Sequence, residues 1–236
     1  MTIFQGDIKM KKDVPFKNIL MIIITFIILL LEMIIITQNH LLQKEITKET
    51  VIIYKSHKTI FLGDSITERY NLDDYFHNEN YINKGIGGNT TRNILDRLKK
   101  DVLDYEPDKV FILIGTNDIV HNIDSEETID NIKSIINIIQ EKTPNTEIFL
   151  ESIYPVNNNK KAGKNFGKIG KRNNDDIKYI NSKLKEFCKE KKITYIDVYD
   201  ALTNEDGDLS TKYTNDGLHL NEYGYIIVSN VLRKFL

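Results

Sequence analysis

The chain has 236 residues, 28% of them charged and 41% hydrophobic, with a formal net charge of −2. That balance leaves no electrostatic footprint for nucleic acid. Its single cysteine, Cys188, excludes an internal disulfide framework.

In chain order, residues 1–18 read as a short basic tail, and Ile19 to Thr37 as an apolar run with one ionisable group, Glu32. At about 1.5 Å rise per residue, a helix of that length nearly crosses the ~30 Å hydrocarbon core of a bilayer. A core helix of a soluble domain would show a polar stripe. A cleaved signal peptide would have a shorter apolar core ending in small residues, whereas Thr37-Gln38-Asn39-His40 follows here. An uncleaved single-pass anchor over 19–37 is therefore expected. Lys9, Lys11, Lys12 and Lys17 precede it and Lys44, Lys48 and Lys55 follow, which puts the tail in the cytoplasm and the remainder outside. Glu32 lies near the far end of the span, where its carboxylate can snorkel to the interface.

Residues 38–57 are polar and lysine-rich and read as a juxtamembrane stalk. Beyond them about 185 residues remain, enough for one well-buried domain over 58–236. Short apolar runs predict strands at Thr59–Leu62, Tyr81–Asn83, Val110–Ile114, Glu147–Leu150 and Ile193–Val198. Helical spacing appears at Thr90–Asp104, Ser125–Gln140, Asp175–Lys191 and Tyr223–Leu236, with Ser125 and two glutamates suiting a helix start. Alternating strands and helices predict a three-layer α/β/α domain with a parallel five-stranded sheet. In such sheets ligands bind beyond the carboxyl ends of the strands.

Four motifs fall at those positions: Gly63-Asp64-Ser65, Gly85-Ile86-Gly87-Gly88-Asn89, Gly115-Thr116-Asn117-Asp118 and Asp216-Gly217-Leu218-His219. Ser65 follows a strand and a glycine, at the start of a helical turn whose free N–H groups would face the serine oxygen. Asp216 and His219 are spaced so that the carboxylate can orient one imidazole nitrogen and leave the other for a serine proton. Asn117 is expected to close a buried strand and aim its amide N–H into the site. Gly88 can offer its N–H to an oxyanion with no side chain in the way. Taken singly, each motif also suits an ordinary turn.

In this order the four motifs resemble the blocks of the SGNH, or GDSL-type, hydrolases, a family of esterases and lipases. The likeness covers roughly Lys58 to Leu236, and the stretch from Gly85 to Arg92 looks most like the acetylhydrolase branch that includes platelet-activating-factor acetylhydrolases. The resemblance implies a flavodoxin-like fold, with Ser65 as nucleophile, His219 as general base and Asp216 as its orienting partner. It also implies oxyanion donors in the Ser65 N–H, the Gly88 N–H and the Asn117 side chain. His219 must be neutral to accept the proton, so activity should decline in acid.

No cofactor or metal is expected, because His40, His57, His77 and His121 form no ligand-spaced cluster. His121 reads as a loop residue. The glycines at 85, 87 and 88 lack the spacing of a dinucleotide loop. The basic stretch 157–172 carries Lys160, Lys161, Lys164, Lys168, Lys171 and Arg172 with no acid, and reads as a solvated loop that could draw an anionic substrate toward the rim. The expectation is a membrane-anchored serine esterase acting on short acyl esters, such as the acetyl group of an envelope glycan or lipid. The alternatives are an O-acyltransferase with the same acyl-serine and a non-catalytic envelope-binding module.

Overall fold

The computed structural model describes residues 15–55, 58–78, 80–160, 166 and 169–236, with backbone alone over 49–55. The basic tail before residue 15, and Lys161, Lys164 and Lys168, lie outside the described residues. The chain divides into two units, Met1–Lys55 and Ser56–Leu236.

In the first unit, α1 runs unbroken over Phe16–Lys55. It is one helix through both the apolar run and the segment read as a stalk. From Phe16 to Ile46 its large apolar side chains are exposed. Thr25 and Thr37 return their hydroxyls to the carbonyls of Met21 and Met33, at 2.8 Å each, so neither needs a water partner. Phe16–Lys48 is long and apolar enough to cross a membrane, a property that signal sequences share.

The second unit is built on five strands, β1 Thr59–Gly63, β2 Tyr81–Gly85, β3 Lys109–Leu113, β4 Glu147–Glu151 and β5 Thr194–Ile196. All neighbours pair in parallel, in the order β2-β1-β3-β4-β5. That is the flavodoxin-like order, which reverses direction at β1 and so opens a crevice beside its carboxyl end.

Alternate strand residues feed two cores. Ile60, Leu62, Val110, Ile112, Ile148 and Leu150 face one layer. That layer comprises α4 (Thr91–Asp101), α6 (Ser125–Lys142) and α7 (Asn174–Lys191). Phe61, Phe111 and Phe149 face the other way and stack in register, with ring centroids 4.9 and 4.5 Å apart. Against them lie α2 (Ser65–Glu68), α3 (Leu72–Phe76), α8 (Tyr199–Leu202) and α9 (Glu222–Leu232). Helix α5 (Thr116–Val120) follows β3.

Four details differ from the sequence reading. Helices α3, α5 and α8 are too short to show a 3.6-residue period. Helix α6 is capped by Asp124, whose carboxylate accepts from the Glu126 N–H, and not by Ser125. Helix α4 ends at Asp101 and gives way to a 3₁₀ turn at Leu103–Tyr105. Asn117 lies in the first turn of α5, beyond the end of β3, because Gly115 turns the chain at φ 128° before the motif is complete.

Candidate active site

Register brings the motifs together. Gly63 pairs with Gly85 on one side and Leu113 on the other, so three strands end at one level. Ser65 opens α2 just past β1. Asp64 caps this short helix by accepting from the Ile66 N–H at 2.9 Å. The Ser65 N–H is thus among the N-terminal donors that have no partner within the helix. Arg97 from α4 ties the adjoining turns, donating to the Gly63 carbonyl at 2.9 Å and to Asn89 Oδ1 at 2.8 Å.

The last motif reaches the same level from the other end of the chain. Asp216 Oδ1 accepts from the N–H groups of Leu218 and His219, at 2.9 and 2.8 Å. Its Oδ2 lies 2.7 Å from His219 Nδ1. Burial alone would raise the Asp216 carboxyl, but these hydrogen bonds outweigh it and hold the group below its ordinary range. A carboxylate can only accept, so Nδ1 carries the proton and Nε2 has a free lone pair. Ser65 Oγ lies 3.0 Å from that Nε2, in place to donate.

The turn that aligns Asp216 and His219 is itself held. Thr214 Oγ1 donates to the His219 carbonyl at 2.7 Å and accepts from the Gly217 N–H at 2.9 Å. Gly217 adopts φ 86°, and a Cβ there would sit 2.1 Å from the Asn157 carbonyl oxygen. Only glycine fits that position.

The other predicted residues flank the serine. Gly88 is exposed, at φ 77° in a turn, and its N–H meets no acceptor among the described residues. Asn117 is buried, and its Nδ2 donates to the Asn89 carbonyl at 2.9 Å, beside Gly88. Asp118 is also buried. It accepts from the Thr91 backbone and hydroxyl, which fastens α5 to the start of α4. His121 is exposed just past α5 and joins no catalytic pairing.

The sequence reading missed two arginines. Arg97 was one polar residue on an amphipathic helix. Arg172 belongs to the stretch whose sequence suggests a solvated basic loop, yet it is half-buried and its Nη2 donates to Asn117 Oδ1 at 2.5 Å. Only its charge was visible in the sequence, because the contact spans 55 residues. Among the described residues no group of three or more His, Cys, Asp or Glu side chains could hold a metal ion.

Burial pushes Asp64 up to about 7, against the pull of its Ile66 hydrogen bond and the nearby Arg172 charge. The arrangement can pass a proton from a serine hydroxyl to an imidazole whose far nitrogen is fixed by a carboxylate. Acyl transfer through a serine requires that step.

Residues 61–227 match the model of the GDSL-like lipase/acylhydrolase family. The chain is 31% identical over 156 residues to an N-acylneuraminate cytidylyltransferase of Escherichia coli O18:K1:H7, covering 65% of this chain but only 34% of that enzyme. It thus spans about a third of that relative's length. It is 24% identical to platelet-activating factor acetylhydrolase IB subunit alpha1 of Bos taurus over 77% of this chain and 76% of the relative. Among solved structures, a GDSL-like lipase from Bacteroides thetaiotaomicron superposes with a TM-score of 0.66 at 25% identity, over 81% of this chain and 95% of that one.

Proposed function

The chain belongs to the GDSL-like lipase/acylhydrolase family, as an enzyme of the esterase type, and we propose that it is a membrane-anchored serine esterase for short acyl esters. The observation that carries the proposal is the hydrogen-bonded chain from Ser65 through His219 to Asp216. Ser65 Oγ attacks the acyl carbonyl while His219 Nε2 takes its proton, and Asp216 steadies the imidazolium that forms. His219 then returns the proton to the leaving alcohol. Water attacks the acyl-serine by the same route and releases the acid. The Ser65 N–H, the Gly88 N–H and the Asn117 amide stabilise the oxyanion in both halves.

The α1 helix anchors the domain outside the cytoplasmic membrane in this reading. The length and the apolar run of α1 support the anchoring, and the lysines that precede the run support the outward side. The substrate follows as an acetyl or similarly short acyl ester on an envelope glycan or lipid, a reading supported by the acetylhydrolase relative. The test compares p-nitrophenyl acetate with longer-chain esters, using the full chain in detergent and its Ser65→Ala variant. Turnover that favours short chains and vanishes in the variant is expected. Equal turnover by the variant would remove Ser65 from the chemistry, and a preference for long chains would refute the short-acyl assignment.

A further inference from the structure

We infer that Arg172 is a positioning residue that sets the Asn117 carboxamide as an oxyanion donor. The inference rests on the esterase reading above. An asparagine amide has a donor end and an acceptor end, and its use in the site depends on which faces where. Arginine has donors only, so the 2.5 Å contact from Arg172 Nη2 identifies its partner as Asn117 Oδ1. The opposite end meets the Asn89 carbonyl at 2.9 Å, which can only accept. Both neighbours therefore require the same orientation. One hydrogen of Nδ2 goes to Asn89, and the other is left for the reacting carbonyl oxygen.

The guanidinium is fixed by two further bonds, Nε to the Thr116 carbonyl at 3.1 Å and Nη1 to the Ile169 carbonyl at 2.8 Å. Among the described residues it makes no ion pair. Asp64 and Asp216 lie close enough to attract it, yet it pairs with neither carboxylate, and the Asp216 oxygens bond backbone and imidazole groups. The positive charge is thus directed at an amide oxygen, which polarises the N–H bonds at the other end.

The surrounding segment acts as a clamp on α5. Gly170, at φ 69°, packs against Val120, where a Cβ would lie 2.6 Å from Val120 Cγ2. Lys171 Nζ donates to Asn122 Oδ1 at 2.6 Å, just past the helix end. A helix of five residues has little stability of its own, so residues 169–172 hold both its ends and the Asn117 side chain with them.

The experiment is a double-mutant cycle on the full chain in detergent, with p-nitrophenyl acetate as substrate and Ser65→Ala as control. Loss of one oxyanion donor typically costs 10²- to 10³-fold in kcat, and Asn117→Ala should fall in that range. Arg172→Gln should lower kcat about 10- to 100-fold with KM changed less than about threefold, and Arg172→Lys should recover part of the loss. In the Asn117→Ala background, Arg172→Gln should cost less than about threefold further, because the group it positions is gone. A merely structural arginine would lower kcat by the same factor in both backgrounds, which overturns the proposal. So would a harmless Asn117→Ala. If Arg172→Gln does not fold, the same cycle is run with Arg172→Lys and read in the same way. Full turnover by Ser65→Ala would instead refute the esterase reading on which the proposal stands.

Discussion

Glu151 ends β4 inside the aromatic core, 5% exposed, with the Tyr154 hydroxyl donating to its Oε2 at 2.5 Å. Burial pushes its carboxyl from an ordinary 4.5 up to about 7, and the tyrosine bond offsets only part of that. Between those two values the folded chain holds a proton that the unfolded chain has lost. Stability therefore falls as pH rises through that interval. At about 1.4 kcal/mol per pH unit, the interval between the two values amounts to about 3 kcal/mol, on the order of a quarter or more of a domain's net stability. Glu151→Gln keeps an acceptor for Tyr154 and removes the ionisation. Its stability relative to the parent should be near zero at pH 4.5 and rise to about 3 kcal/mol at pH 8. The assay is urea unfolding of the detergent-solubilised full chain, parent and variant, at half-unit pH steps. Asp64, also raised to about 7, titrates identically in both proteins and cancels in the difference. A difference that does not vary with pH would refute the reasoning, since it would mean that Glu151 ionises alike in the folded and unfolded chains.

Three other outcomes follow from the site. Asp216→Asn should lower kcat on the order of 10⁴-fold, because an amide donor facing Nδ1 drives the proton to Nε2, where it blocks acceptance from Ser65; a loss under tenfold in esterase assays would contradict that tautomer argument. Gly88→Ala meets no neighbour within 4 Å but adopts φ 77°, so it should cost about 1–2 kcal/mol. That corresponds to a Tm lower by roughly 2–8 °C in calorimetry, with kcat nearly kept because the N–H survives. Thr214→Val leaves the Gly217 N–H and the His219 carbonyl unpaired. It should reduce stability by about 1–3 kcal/mol and kcat more than KM, and unchanged kinetics would show that the turn needs no such brace.

Much of this site is legible in the sequence because chemistry confines it to short local motifs. Ser65, Asp216 and His219 each lie within two residues of a glycine where the chain turns. The strands are legible because a sheet covered on both faces is apolar along its length, as Val110 to Ile114 shows. What escaped depends on contacts between distant segments. Arg172 looked like one more cation among lysines, and its placement against Asn117 depends on how residues 169–172 pack on α5. By sequence Asn117 falls at the end of a strand, since nothing in Gly115-Thr116-Asn117-Asp118 announces a five-residue helix. Glu151 gave no signal either, because a carboxylate at the end of an apolar run reads as a strand reaching solvent. Here β5 pairs with it through Ile196, the Tyr154 hydroxyl meets its carboxylate, and the side chain is buried.

The central claim is that Ser65 carries the acyl group. It is tested most directly by treating the full chain with a fluorophosphonate, which traps an activated serine, and mapping the adduct by peptide mass spectrometry. The account predicts one adduct on Ser65, formed in proportion to the loss of esterase activity and absent from Ser65→Ala. Activity that persists with Ser65 fully modified, or that is lost with the adduct on another residue, would contradict it.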